Sequence, residues 1–263
     1  MDPQARQFER TGYLFVEKLL SDRDVDEYIA KLQQPSGLSL REIVGGRGWN
    51  LPDGVNQRPE WWPLIFYEPL ITIVRRILGP DVRYLQHSDL QINNDRVVWH
   101  RDNVHRTFGV GPDWDEGAEK YTVVRVAIYL QSYAESRSKL GVIPGSHRFE
   151  SELTRLEFRV WDKVRRTLHR RYLLPPFMLS ARPVWLRPDR GDGIIFDARV
   201  LHTPTPIRGP KYGVFLSYGA ENEHSRNHRR YYLYQRKELG YQDFCPELKQ
   251  RLQHEHLLLE LNR

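Results

Sequence analysis

Residues 191–202 read GDGIIFDARVLH. Gly191, Asp192 and Gly193 mark a tight turn. Ile194, Ile195 and Phe196 then form a short apolar run of the kind that reads as a buried strand. That strand carries the chain to His202. Similar runs lie on both sides: VRYLQHSDLQIN from Val82, VVWH from Val97, YTVVRVAIYLQ from Tyr121, PVWLRP from Pro183 and YGVFLSYG from Tyr212. They are rich in Val, Ile and aromatic residues and punctuated by Gly and Pro. This is the pattern of an antiparallel sandwich or barrel.

Working outward, Phe8–Leu20 with its YLFV core reads as a short strand. Ser21 is a good N-cap. Val25, Tyr28, Ile29 and Leu32 at helical spacing predict a helix over 22–34, ended by Pro35 and Gly37. The glycine-rich residues 36–60 read as loop. Pro69 opens a second helix that Gly79-Pro80 stops. Residues 151–173 interrupt the β region with a helical pattern. Leu153, Leu156, Val160, Trp161, Val164 and Leu168 share one face, and Arg155, Arg159, Arg165, Arg166 and Arg170 lie opposite. The spacing predicts a helix packed on the sheet with its basic side in solvent; a lid or an anion-facing surface is the functional alternative. HSRNHRRYY, residues 224–232, reads as a solvated stretch with packed tyrosines, with closure over an anionic substrate as the functional alternative. A last helix follows Pro246. No repeat or linker appears, so residues 1–263 read as one domain with a helical insertion at about 151–173.

Composition narrows the class. Of the 263 residues, 40% are apolar and 28% charged, as in a globular protein, and no apolar run is long enough to span a bilayer. The first residues carry no secretion signal. Cys245 is the lone cysteine, which excludes an intrachain disulfide and fits a cytoplasmic location. The net charge of +6 suits a small anionic ligand. The basic residues are scattered and no nucleic-acid-binding motif is present, so no nucleic acid partner is expected.

His100 and Asp102, in Trp99-His100-Arg101-Asp102, stand two apart on a strand or at its end and so point to one side. With His202 they offer two imidazoles and one carboxylate. On one face of an octahedral ion that is the facial triad of non-haem iron(II) oxygenases. Three positions stay open, two for a chelating 2-oxo acid and one for O2. No H-E-x-x-H helix points to a zinc protease. His147, in LGVIPGSHR at residues 140–148, reads as a turn residue and not a ligand.

The order H-x-D, then L-x-VIPGSH-R, then GD-x-x-x-F-D-x-x-x-x-H resembles the phytanoyl-CoA dioxygenase family, which includes ectoine hydroxylase. The likeness runs over about residues 8–218. It implies a mostly β fold with flanking helices around a double-stranded β-helix (jelly-roll, cupin-like) core, together with Fe(II), 2-oxoglutarate and O2. His100, Asp102 and His202 match the family's iron ligands. Arg137-Ser138 replaces the family's Asn-Gly before the VIPGSH strand. The family's arginine for the distal carboxylate of 2-oxoglutarate aligns with Lys211, and Arg208 lies three residues earlier. Arg125, a charge within an apolar strand, is a further candidate. Gln91 matches a pocket glutamine of ectoine-hydroxylase-like sequences. Loop 103–120 follows the metal motif and offers His105, Arg106 and Trp114 as substrate contacts.

The resemblance implies hydroxylation of an unactivated C–H bond in a small, anionic metabolite or natural-product intermediate. Asp102 favours this outcome, since related halogenases replace the carboxylate by a small residue. Desaturation or ring closure on the same centre, and a non-catalytic jelly roll that binds a ligand, are the alternatives. The oligomeric state is not legible.

Overall fold

A computed structural model describes residues 2–94, 97–167 and 179–261. Its strands are β1 (Tyr13–Val16), β2 (Trp49–Pro52), β3 (Val82–Tyr84), β4 (Asp89–Ile92), β5 (Val124–Tyr129), β6 (Leu140–Val142), β7 (Val184–Leu186), β8 (Gly193–Asp197), β9 (His202–Pro204) and β10 (Tyr212–Ala220). The larger sheet has the order β1-β8-β5-β10-β4-β2, and β3 pairs with the far end of β10. The smaller sheet is β7-β6-β9. Every named pairing is antiparallel. The two sheets face each other as a jelly roll, with helices flanking the larger one.

Side-chain alternation assigns the faces. On β5, Val124, Val126 and Ile128 join a core with Leu32, Leu70 and Val74 from the helices. Ala127 and Tyr129 point the other way and pack with Leu140 and Val142 of the smaller sheet. Both faces of β5 and β8 are covered, which is why these strands read as continuous apolar runs.

Several expected elements differ in detail. Phe8 lies in a helix, Pro3–Thr11, which Asp2 caps and left-handed Gly12 ends, so the strand is only Tyr13–Val16. The predicted helix at 22–34 runs over Asp22–Ser36, with Pro35 in its last turn and Gly37 left-handed behind it. Residues 36–60 are not plain loop. A Ser39/Glu42 capping box starts the short helix Leu40–Val44, and β2 follows. The second helix spans Glu68–Leu78.

The insertion forms a helix over Glu152–Thr167; Leu168, Arg170 and the rest of 168–173 lie outside the described residues. Its expected orientation holds only in part: Trp161 and Val164 are half-buried and Arg159 and Arg166 exposed, as expected, but the rest of the apolar face is not covered. Leu153, Leu156 and Val160 are 69%, 55% and 51% exposed. The other side faces the protein, where Phe158 meets Trp99 edge-on and Arg155 lies over Phe108. The stretch 224–232 is also not solvated, although Tyr232 packs as expected. Its helix, Glu223–Arg230, buries His224, His228 and Arg229, and a π-turn over Tyr231–Gln235 buries Tyr232. Partners inside the fold make this burial tolerable: His228 meets His87, and Arg229 donates to Asp243 and to the Leu259 carbonyl. None of the described helices is long and apolar enough to cross a membrane.

Candidate metal centre

His100 and His202 sit directly opposite each other in an antiparallel bridge. Each backbone N–H donates to the other's carbonyl at 3.0 Å. Opposite residues of such a pair project to the same face, and the two rings lie 4.2 Å apart. Asp102 follows two residues after His100, and its N–H is tied to the Ala198 carbonyl at 2.8 Å in the turn after β8. The buried strand GIIFD therefore anchors both halves of the constellation.

The ring tautomers follow from the backbone. His100 Nδ1 donates to the Val98 carbonyl at 2.7 Å, and His202 Nδ1 donates to the Val200 carbonyl at 3.0 Å. A carbonyl only accepts, so each proton belongs on Nδ1 and each Nε2 presents a lone pair. His100 Nε2 lies 3.6 Å from Asp102 Oδ1, and His202 Nε2 lies 3.7 Å from Asp102 Oδ2. One ligand atom from each of the three residues falls within 4.8 Å of the others. Two neutral nitrogens and one carboxylate on a single side fit a divalent first-row ion that keeps open positions.

The charge states agree with that fit. Burial and the neighbouring His100 push His202 down to about 4, so its ring is neutral at pH 7. Burial acts to raise the Asp102 carboxyl, but His202, Arg125 and His100 outweigh it and hold the group well below the usual carboxylate range. With His202 uncharged at neutral pH, Arg125 and, to a smaller extent, Arg106 are the nearby cations that keep Asp102 ionised.

A cavity of about 240 Å³ opens from this centre along the inner face of the larger sheet. Register defines its floor. Gln91, Gly213 and Tyr129 form one cross-strand row, Asp89, Phe215 and Ala127 the next, and Ser217 with Arg125 the third. Arg125 and Asp102 mark the metal end. Lys211, at the head of β10, is buried and lines the cavity, as does Gln91, which accepts from Asn94 Nδ2 at 3.0 Å. Arg208 is exposed and does not line it. Arg125 is engaged at the metal end, with Asp89 at 2.9 Å, Asp102 at 3.4 Å, Ser217 at 3.0 Å and the His87 carbonyl. Of the loop candidates, Arg106 reaches the cavity. His105 pairs with Asp113, and Trp114 donates its indole N–H to the His105 carbonyl, which are contacts internal to the loop. His147 points elsewhere, its Nε2 against the Glu9 carbonyl at 3.2 Å.

Some lining residues escaped the sequence reading. His87, Asp89, Tyr232, Arg236 and Tyr241 border the same cavity. Tyr232 stacks on His87 with centroids 3.6 Å apart, and the Tyr241 hydroxyl donates to Asp89 at 3.0 Å. One signal was available: Asp89 and Gln91 alternate on an otherwise apolar strand, which marks a polar inner face.

Residues 8–212 match the family model of phytanoyl-CoA dioxygenase (PhyH). The chain belongs to this family. Ectoine dioxygenases of Bordetella parapertussis and Bordetella bronchiseptica are each 25% identical over 157 residues, covering 55% of this chain and 49% of theirs. The chain thus spans about half the length of the curated relatives it matches. Among solved structures, the non-heme alpha ketoglutarate dependent carbocyclase SnoK from nogalamycin biosynthesis has a TM-score of 0.59 at 16% identity, with 84% of this chain and 85% of that one covered. HygX from Streptomyces hygroscopicus, with nickel and 2-oxoglutarate bound, has a TM-score of 0.58 at 16% identity, with coverages of 84% and 87%. At such identities these structures speak to the fold alone, and they share the jelly-roll core.

Proposed function

We propose that this chain is an Fe(II)- and 2-oxoglutarate-dependent oxygenase that uses O2 to hydroxylate an unactivated C–H bond of a small anionic metabolite or natural-product intermediate. The observation that carries the reading is the pair of backbone-locked imidazoles whose Nε2 atoms converge on Asp102. Iron bound there with 2-oxoglutarate supplies the oxidising chemistry. The rest falls to the protein. His100, Asp102 and His202 hold the ion. Val98 and Val200 fix the imidazole tautomers, and Arg125 keeps the carboxylate ionised.

Lys211 holds the distal carboxylate of 2-oxoglutarate, and Gln91 hydrogen-bonds beside it. Two features support this assignment: Lys211 lines the cavity and Arg208 does not. Apolar Ala127, Leu140 and Phe215 line the space between and limit water. We take the chain as a single domain on the same reading.

The test is an anaerobic titration of apo-protein with Fe(II) and then 2-oxoglutarate, followed by the weak visible charge-transfer band of the chelate. A band in wild type that is lost in His202→Ala supports the triad and the co-substrate. Iron binding without a band would refute the co-substrate, and no iron binding would leave a ligand-binding jelly roll.

A further inference from the structure

A second cavity, of about 590 Å³, lies on the other side of His100, between residues 98–108 and the helix Glu152–Thr167. We propose that it docks the substrate of the oxygenase, and that this substrate carries an oxyanion, phosphate or carboxylate, on a flat apolar body. The proposal rests on the oxygenase reading above.

Position comes first. Val98, His100 and Arg106 line both cavities, so the two lie on either side of a candidate metal ligand. A molecule seated here has one end beside the metal centre. The volume is that of a small-molecule pocket.

Charge comes second. Arg101, Arg106, Arg155, Arg159 and Arg166 line the cavity against a single carboxylate, Glu150, among the described residues. Glu150 is buried and already shared, 2.9 Å from Arg101 and 3.4 Å from Arg155. Arg155 also pairs with Glu152 at 2.8 Å, so five guanidiniums meet two carboxylates here, and arginine suits oxyanions through its planar fork of donors.

The aromatic walls come third. Trp99, Phe108, Phe158 and Trp161 line the same space. The Trp99 indole N–H is buried without an acceptor among the described residues.

The helix orientation sets this apart from a solvated basic face. Arg155, Arg159 and Arg166 recur on one side of the helix and Leu153, Leu156 and Val160 on another. An amphipathic helix with no ligand to meet buries its apolar side. Here Leu153, Leu156 and Val160 are exposed, while Arg155, Arg159 and Arg166 line the cavity, Arg159 and Arg166 from exposed positions at its edge. That arrangement forgoes apolar burial and places cations where an anion would arrive.

Phenyl phosphate and phenylacetate serve as probes, with benzyl alcohol as the neutral control, and tryptophan fluorescence of the apo-protein reports occupancy. We expect saturable quenching by one or both anions and none by benzyl alcohol; the tighter anion identifies the headgroup. Arg159→Glu, at an exposed position, should weaken binding at least tenfold, and Leu156→Glu on the outward side should leave it unchanged. Circular dichroism and the iron–2-oxoglutarate band should match wild type in both variants. No saturable binding, or equal binding by Arg159→Glu, overturns the proposal even where the band is intact. Binding that behaves as expected in a protein with no band would sink the oxygenase reading and leave an anion site.

Discussion

Arg125 and Asp102 form a buried ion pair, with Nε 3.4 Å from Oδ2, and the same guanidinium holds Asp89 at 2.9 Å. One cation thus bridges the metal-centre carboxylate and a carboxylate on β4, which Tyr241 grips from the far side. The charges are mutually required. Arg125→Gln leaves two buried carboxylates without their cation, a loss on the order of 3–5 kcal/mol for a broken buried pair. Asp102 then binds a proton more readily, so metal binding should fail at a higher pH than in wild type. Arg125→Lys should recover part of both effects. Co(II) titrations from pH 5 to 8 with thermal melts would check this. A Gln variant with wild-type pH dependence would rule out Arg125 as the group that keeps Asp102 ionised.

Lys211 and Arg208 separate by burial. Lys211 lines the cavity and Arg208 stands outside it. A charge-assisted contact contributes about 1.5–3 kcal/mol, which corresponds to roughly 10- to 150-fold in affinity. Lys211→Ala should raise the 2-oxoglutarate concentration for half-saturation of the chelate band by that factor. Arg208→Ala should change it less than threefold. The opposite ranking would place the co-substrate carboxylate at Arg208.

The triad was legible in the sequence because each ligand follows a local rule. Two-residue spacing on a strand puts His100 and Asp102 on one side, and a buried run ending at His202 brings the third group in. The remaining lining depends on long-range packing. Tyr232 ends a segment, 224–232, that reads as solvated because its charges are visible in the sequence and their buried partners are not, and Arg236 and Tyr241 follow in stretches with no periodic signal. Likewise, the 3.6-residue pattern of residues 152–167 shows that the helix has two faces. Which face turns inward depends on Trp99, Phe108 and Glu150, which lie elsewhere in the chain. Arg125 was a visible anomaly in an apolar strand, but only the register against Ser217 and Phe196 places it at the metal.

Gly191, in the turn that opens the decisive strand, should tolerate no side chain. Its φ is +82°, and a Cβ there would stand 2.5 Å from the Leu20 carbonyl oxygen. That oxygen belongs to backbone, so it cannot swing aside. Gly191 also donates to the Tyr129 carbonyl at 2.9 Å and accepts from Leu20 N–H at 3.0 Å. Gly191→Ala should therefore cost at least about 2 kcal/mol, more than an unstrained surface change. Urea unfolding would measure it, and a midpoint equal to wild type would show that the turn can relax.

His228 should make stability depend on pH. It meets His87 at 3.1 Å, and Arg125, Arg106, Asp113 and Asp102 act on it from the surrounding elements. Burial is the first cause that holds it down to about 4, against about 6.5 in an unfolded chain. Between those values the unfolded state binds a proton that the fold does not. This group's contribution is therefore whole above about pH 6.5 and fades as pH falls toward 4, by up to about 1.4 kcal/mol per pH unit. His228→Gln removes that proton uptake. The gap in melting temperature between wild type and variant should narrow steadily as pH falls from 7 to 4.5. A gap that stays constant would mean that His228 takes up a proton in the fold as readily as in the unfolded chain and that its pairing with His87 is arranged differently.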